Sequence, residues 1–234
     1  MLTTSLLFVL MGLGFLVAVG LAIALLIRRS RQDREAKRAV AEVLGFLPLS
    51  PVPVELSRQI IDLHRRVPGQ RFSVRNVFAR SLPEGQFYIF DLWEEGTESS
   101  SIIAQCAIAV VSPGANLPRF TAAPRLELAG ALGGLAGRLT DWIARQFGPE
   151  IVTDQAEFQA HYILIGKDEA AVRAAIPADL LTYLGQSPFL GLHAAGSMVT
   201  VATMDLRHAA ARPDSASVGA LYNRAIHIAG MLFA

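Results

Sequence analysis

Charge is missing from the chain between Leu6 and Ile27, where LLFVLMGLGFLVAVGLAIALLI runs for 22 residues without Lys, Arg, Asp or Glu. As a helix this stretch would measure about 33 Å, against a bilayer hydrocarbon core of about 30 Å, so the pattern predicts a transmembrane helix. A cleaved signal peptide is the competing reading. It calls for a positive start, a shorter apolar core and a small-residue cleavage site. Met1 to Ser5 carries no charge, and a basic run follows the apolar stretch, so a retained anchor is expected.

Beyond residue 53 the hydrophobic period alternates between that of helices and that of strands. Val54 to Val67 has Leu56, Ile60 and Leu63 at helical spacing. Arg71 to Arg80, Gln86 to Glu95 and Ser101 to Val111 are rich in Val, Ile, Phe and Tyr and are separated by short turn sequences, which predicts an antiparallel meander. Leu126 to Phe147 reads as helix, Phe158 to Gly166 as a fourth long strand, and Asp168 as the cap of a helix running to Ile176. Ala178 to Gly185 reads as a further helix. A hairpin follows, over Gly191 to Ala194 and Met198 to Asp205. Ser215 to Phe233 closes the chain as a helix with an apolar stripe at Val218, Leu221, Ala225, Ile228 and Leu232.

The predicted fold class is therefore α+β: one N-terminal transmembrane helix, then a soluble domain with a mainly antiparallel sheet packed by helices. The expected divisions are 1–27 for tail and anchor, 28–53 for a basic juxtamembrane stalk with the proline-rich linker LPLSPVP, and 54–234 for the domain.

Charge orients this arrangement. Arg28, Arg29, Arg31, Arg34, Lys37 and Arg38 face only Asp33 and Glu35 in the same stretch, six against two or +4. These six cations are expected at the membrane surface, beside lipid headgroups. They place the N-terminus outside and the domain in the cytoplasm. Residues 39–234 hold 15 basic and 18 acidic residues, or −3, which excludes a basic surface that tracks nucleic acid. Within the anchor, Gly14, Ala18 and Ala22 fall at i, i+4 and i+8, with Gly20 and Ala24 as a parallel pair. That small-residue face suits packing against another helix in lipid. The single cysteine, Cys106, precludes an internal disulfide and lies among apolar neighbours as a small buried hydrophobe.

Several segments together resemble a broad family of uncharacterised bacterial single-pass membrane proteins with a cytoplasmic α+β domain. They are Arg75-Asn76-Val77-Phe78, FYIFDL at 87–92, SIIAQC at 101–106, LPRF at 117–120, and EFQAHYILIGKDEAAVR at 157–173. The resemblance spans roughly residues 71–206. It implies a tethered α+β domain on a bacterial inner membrane and supplies no reaction.

Candidate chemistry is sparse. His64, His161, His193, His208 and His227 show no metal-ligand spacing, so no metal site is expected, and each reads as a surface or packing residue. Asp91, Glu94 and Glu95 cluster where two carboxylates could share acid–base work, but a solvated strand end accounts for them as well. The run GALGGLAG at 130–137 lacks both the Lys-Ser/Thr of a P-loop and the G-x-G-x-x-G order, so no nucleotide cofactor is expected. Trp93 and Trp142 stand apart from basic clusters. No catalytic set emerges, and no cofactor.

The sequence therefore predicts a non-enzymatic accessory or scaffold subunit stabilising a larger membrane complex, for instance a respiratory or photosynthetic one. Its expected partners are membrane lipids and other membrane-protein subunits, met through the helix and the domain surface. The alternative is a membrane-tethered module sensing a ligand or lipid. An enzyme would require Asp91, Glu94 and His161 to converge in one cleft.

Overall fold

The computed structural model describes residues 21, 24, 28, 31–65, 69–96, 100–125, 149–187, 189–203 and 214–233. Eight strands form one sheet in the order β1-β2-β3-β4-β8-β7-β5-β6, and every neighbouring pair is antiparallel. The strands are β1 (Leu47–Pro48), β2 (Arg71–Leu82), β3 (Gly85–Glu95), β4 (Ser100–Val111), β5 (Leu117–Pro124), β6 (Tyr162–Gly166), β7 (Leu190–Gly196) and β8 (Met198–Thr203). The helices are α1 (31–43), α2 (Val54–His64), α3 (Ala156–His161), α4 (Glu169–Ala175), α5 (Ala178–Gln186) and α6 (Ser215–Leu232). Leu21, Ala24 and Arg28, ahead of α1, are helical too.

Alternation along the strands sorts their side chains onto two faces. One face carries Phe78, Phe87, Ile89, Ile108, Val110, Phe120, Leu192 and Val201. It packs against α1, the α3–α5 group and α6, and here the predicted stripe of α6 finds its burial. The other face carries Val77, Phe90, Leu92, Ala107 and Ala109 and is covered by α2 through Leu56, Ile60 and Leu63. The helix–sheet seams are close. A Cβ on Gly166 would lie 2.7 Å from Val172 Cγ2, and one on Gly185 would meet the Phe158 nitrogen at 3.0 Å. Asp168 caps α4 through the Ala171 N–H and Asp214 caps α6 through the Ser217 N–H, as short acidic side chains do at helix starts.

The predicted transmembrane helix is corrected. Among the described residues no helix is long and apolar enough to cross a membrane. The longest that is described whole, α6, carries Asn223, Arg224 and His227 and buries its apolar side in the core; α1 is charged along its length. The fold class is α+β on an eight-stranded antiparallel sheet with helices, and the inner-membrane localisation read from the anchor falls with the spanning helix. Residues 6–20, with Gly14 and Ala18, lie outside the described residues, as does Ala22.

Other segments differ in detail. The fourth long strand begins at Tyr162 and not at Phe158: residues 156–161 turn as α3, with Phe158 fully buried and stacked 5.3 Å from the Tyr162 ring. LPRFTAAP at 117–124, not expected as a strand, is β5, central between β7 and β6. Part of the linker, Leu47–Pro48, is edge strand β1, paired with Ala79 and Phe78. The expected helix over 126–147 lies outside the described residues.

Candidate functional site

The densest polar chemistry of the described chain lies inside it, where α1 crosses β3. Strand β3 is flanked by two irregularities at one level. Toward β2, Arg75 pairs with Asp91 and Phe78 with Ile89, so Asn76 and Val77 oppose Phe90 alone. Toward β4, Phe90 pairs with Ala107 and Leu92 with Ala104, so Gln105 and Cys106 oppose Asp91. Each is a bulge, with one residue more on the outer strand than on β3. Asn76 and Cys106 take φ of 50° and 49°, left-handed conformations that non-glycine residues rarely adopt.

Asp91, only 1% exposed, holds both bulges. Its Oδ1 accepts the backbone N–H of Cys106 at 2.9 Å, while its Oδ2 accepts the Asn76 amide at 2.7 Å and the Lys37 ammonium at 2.8 Å. Lys37, 3% exposed, also pairs with Asp33 one helical turn earlier at 2.8 Å. Burial works against the Lys37 ammonium, but the charges and hydrogen bonds of Asp91 and Asp33 overcome it and raise its pKa above the ordinary 10.5. Burial, reinforced by the Asp91 charge, pushes the Cys106 thiol up to about 12. The thiol is therefore protonated at neutral pH and no nucleophile. A carboxylate with three donors and an ammonium with two carboxylates form a satisfied network, so the arrangement fixes geometry and offers no free acid or base.

The sequence-predicted residues divide here. Arg28, Arg31, Arg34 and Arg38 are exposed, with Arg38 paired to Glu42 at 2.8 Å, whereas Lys37 is buried against the sheet. Arg29 lies outside the described residues. Ala24, Arg28, Arg31, Gln32 and Glu35 lie at helical spacing along one face of this arm. Asp91, Glu94 and His161 do not converge. Asp91 is enclosed, Glu94 is held by the Gln70 amide at 3.0 Å, and His161 is exposed at the end of α3. His161 leads into β6, five strand spacings from β3, or about 24 Å at the usual separation. Among the described residues no three His, Cys, Asp or Glu side chains gather to hold a metal.

A pairing that the sequence reading missed lies on the opposite face. His64, in the last turn of α2, and His193 of β7 are both 6% exposed, with ring centroids 4.6 Å apart. His64 Nδ1 lies 2.8 Å from the Ile60 carbonyl oxygen and its Nε2 is 3.5 Å from Thr200 Oγ1; His193 Nδ1 is 3.0 Å from Thr121 Oγ1. Elsewhere, His227 is exposed and meets the Tyr183 ring edge-on at 4.7 Å.

No protein-family model and no curated protein matches the chain. Among solved structures it is similar to the mycobacterial trehalose monomycolate transport factor A, TtfA, with a TM-score of 0.47 and 12% identity. The alignment covers 86% of this chain and 92% of that one. A likeness at that level carries no argument about activity or partners.

Proposed function

We propose that this chain is a non-enzymatic accessory subunit: a rigid sheet body that holds a basic helical arm in a fixed direction for docking to a larger assembly. The observation that carries the reading is the burial of Lys37 against Asp91. It joins α1 to the middle of the sheet by a charged, geometrically specific contact, while Arg28, Arg31, Gln32, Arg34 and Glu35 stay exposed ahead of it. Buried ion pairs are weak devices for stability compared with apolar packing, but they are selective for register. A helix held only by an apolar stripe can rotate or slide; one held by Lys37, Ala41, Val40 and Leu44 together cannot do so without stranding a charge.

The polar groups of the body support the same reading, because Asp91, Lys37 and Cys106 are spent on one another. The seams at Gly166 and Gly185 support it as well, being close enough that an added methyl group would force a neighbour to shift. The exposed face of the arm, which carries Arg28 and Arg31, is where a partner would dock.

Site-specific photo-crosslinking in the source cells tests this. A crosslinker at exposed Gln32 is expected to give one discrete protein adduct, and one at exposed Val152, away from the arm, none. No adduct at Gln32, or the same adduct from both positions, would count against the proposal.

A further inference from the structure

We infer that the arm receives an acidic stretch of another protein, whose Asp and Glu carboxylates take the guanidinium groups of Arg28, Arg31 and Arg34. The inference rests on the arm being the docking surface and adds the chemistry of its partner. Arg28, Arg31, Arg34 and Arg38 are all exposed. Arg38 is paired with Glu42, whereas among the described residues no ion pair engages the other three. The stretch from Arg28 to Arg38 has two acids of its own, Asp33 and Glu35. Asp33 is spent on the buried Lys37 at 2.8 Å, which leaves Glu35 against three unpaired arginines.

Three residues of helix advance about 4.5 Å and fall about 60° short of a full turn. Arg28, Arg31 and Arg34 therefore span about 9 Å along the axis and wind over about a third of the circumference. A guanidinium offers paired N–H donors that match a carboxylate, and a row of them at fixed spacing selects a partner with acids to match. The Lys37–Asp91 contact gives that row its direction, because it sets the rotation of α1 on the sheet.

Other occupants fit the row less well. Residues 39–234 hold 15 basic against 18 acidic residues, so a nucleic acid long enough to run past the arm meets net repulsion from the body. A flat anionic bilayer touches a winding row along one line, while a slender segment can follow it. A second copy of this chain sets like charges together. Antiparallel pairing that brings Arg31 to Glu35 also brings Arg28 against Arg38, and parallel pairing sets each arginine against itself.

Fluorescence anisotropy on the full chain tests this with two helical peptides as probes, one with glutamate at every third or fourth position and one with glutamine in its place. The glutamate peptide is expected to bind at about 50 mM salt and to lose at least about fivefold in affinity by about 300 mM, where exposed charges are screened. Arg31→Gln with Arg34→Gln should weaken it at least about fivefold. The matched pair Arg58→Gln with Arg65→Gln, exposed arginines on and just after α2, should leave it unchanged. Equal binding of the two peptides, which needs no variant to fold, overturns the inference, as does equal weakening by the two pairs of substitutions. So does a larger effect of Arg31→Gln with Arg34→Gln on binding to phosphatidylglycerol vesicles, or to single-stranded RNA, than on binding to the glutamate peptide. The Gln32 crosslink separates the two failures. A discrete adduct together with equal peptide binding overturns this inference alone, whereas absence of the adduct overturns the docking reading with it.

Discussion

Lys37 and Asp91 stand 54 positions apart in the sequence, yet the ammonium lies 2.8 Å from the carboxylate with both side chains almost wholly enclosed. The same carboxylate closes bulges on the strands to either side, so one aspartate sets the local register of β2 and β4 against β3 and the position of α1 above them. Removing either partner exposes the cost of the other's burial.

Lys37→Met should lower the unfolding free energy by about 3–5 kcal/mol, because Asp91 would remain buried without its cation. Lys37→Met combined with Asp91→Asn should recover part of that loss, since an asparagine side chain stays neutral and its oxygen still accepts a hydrogen bond. Urea unfolding of the four proteins as a double-mutant cycle measures it; strictly additive losses would mean that the two residues do not act as a pair.

Alkali should weaken the fold through the same contact. The pKa of Lys37 is raised in the folded state, so its stabilising contribution is complete below the ordinary 10.5 and is lost as pH climbs through the higher folded value. The buried hydroxyls of Tyr162 and Tyr222, also raised, act in the same direction and are common to wild type and variant. The difference in stability between wild type and Lys37→Met is therefore expected to be flat from pH 8 to 10 and to shrink above about 10.5. A difference that grows with pH there contradicts the assignment.

At Cys106 backbone conformation should outweigh volume. The residue is buried with φ of 49°, where a β-branched side chain is strained. Cys106→Val is accordingly expected to be less stable than Cys106→Ala by about 1–3 kcal/mol, although valine fills the space better. The unmodified thiol, with its pKa near 12, should react with iodoacetamide at pH 8 only as fast as the region opens.

Gly166→Ala should destabilise by about 1–3 kcal/mol through collision with Val172. Adding Val172→Ala removes the atom 2.7 Å away, so the double variant should be more stable than the sum of the single losses; thermal melts compare them. Additive losses would place the collision on the Arg119 carbonyl, 3.2 Å away, instead.

How much of this was legible in the sequence depends on where the deciding contacts lie. The meander β2–β3–β4, the cap Asp168 and the buried stripe of α6 follow from local pattern: β-branched and aromatic runs, a short acidic residue before a helix, and a repeat every three or four positions. Strand β5 did not follow, since LPRFTAAP is half small or proline and its strand state comes from β6 and β7 on either side. Phe158 to His161 read as strand because an apolar residue beside YILIG has the same pattern in a short helix that turns into a strand.

Lys37 read as one more member of a basic run. A signal was present: it lies four residues before Ala41 and three before Val40, on the apolar stripe of α1, where a surface cation has no place. Asp91 read as a strand end because the bulges that enclose it are tertiary features. The histidine pair joins residues 64 and 193, and no local spacing could have announced it. The N-terminal apolar run carried the most emphatic pattern of all, yet no helix among the described residues is long and apolar enough to cross a membrane.

The proposed arm, clamped by Lys37 and Asp91, serves a partner. Its most direct test is gentle extraction of the native and Lys37→Met chains from the source cells, followed by sizing and mass spectrometry of whatever co-migrates. Urea unfolding would first establish that the variant remains folded under those conditions. The account predicts that the native chain travels at fixed stoichiometry with larger partners and that the folded variant does so much less. A native chain that runs alone at 25.2 kDa, or a folded variant that keeps its partners in full, would contradict it.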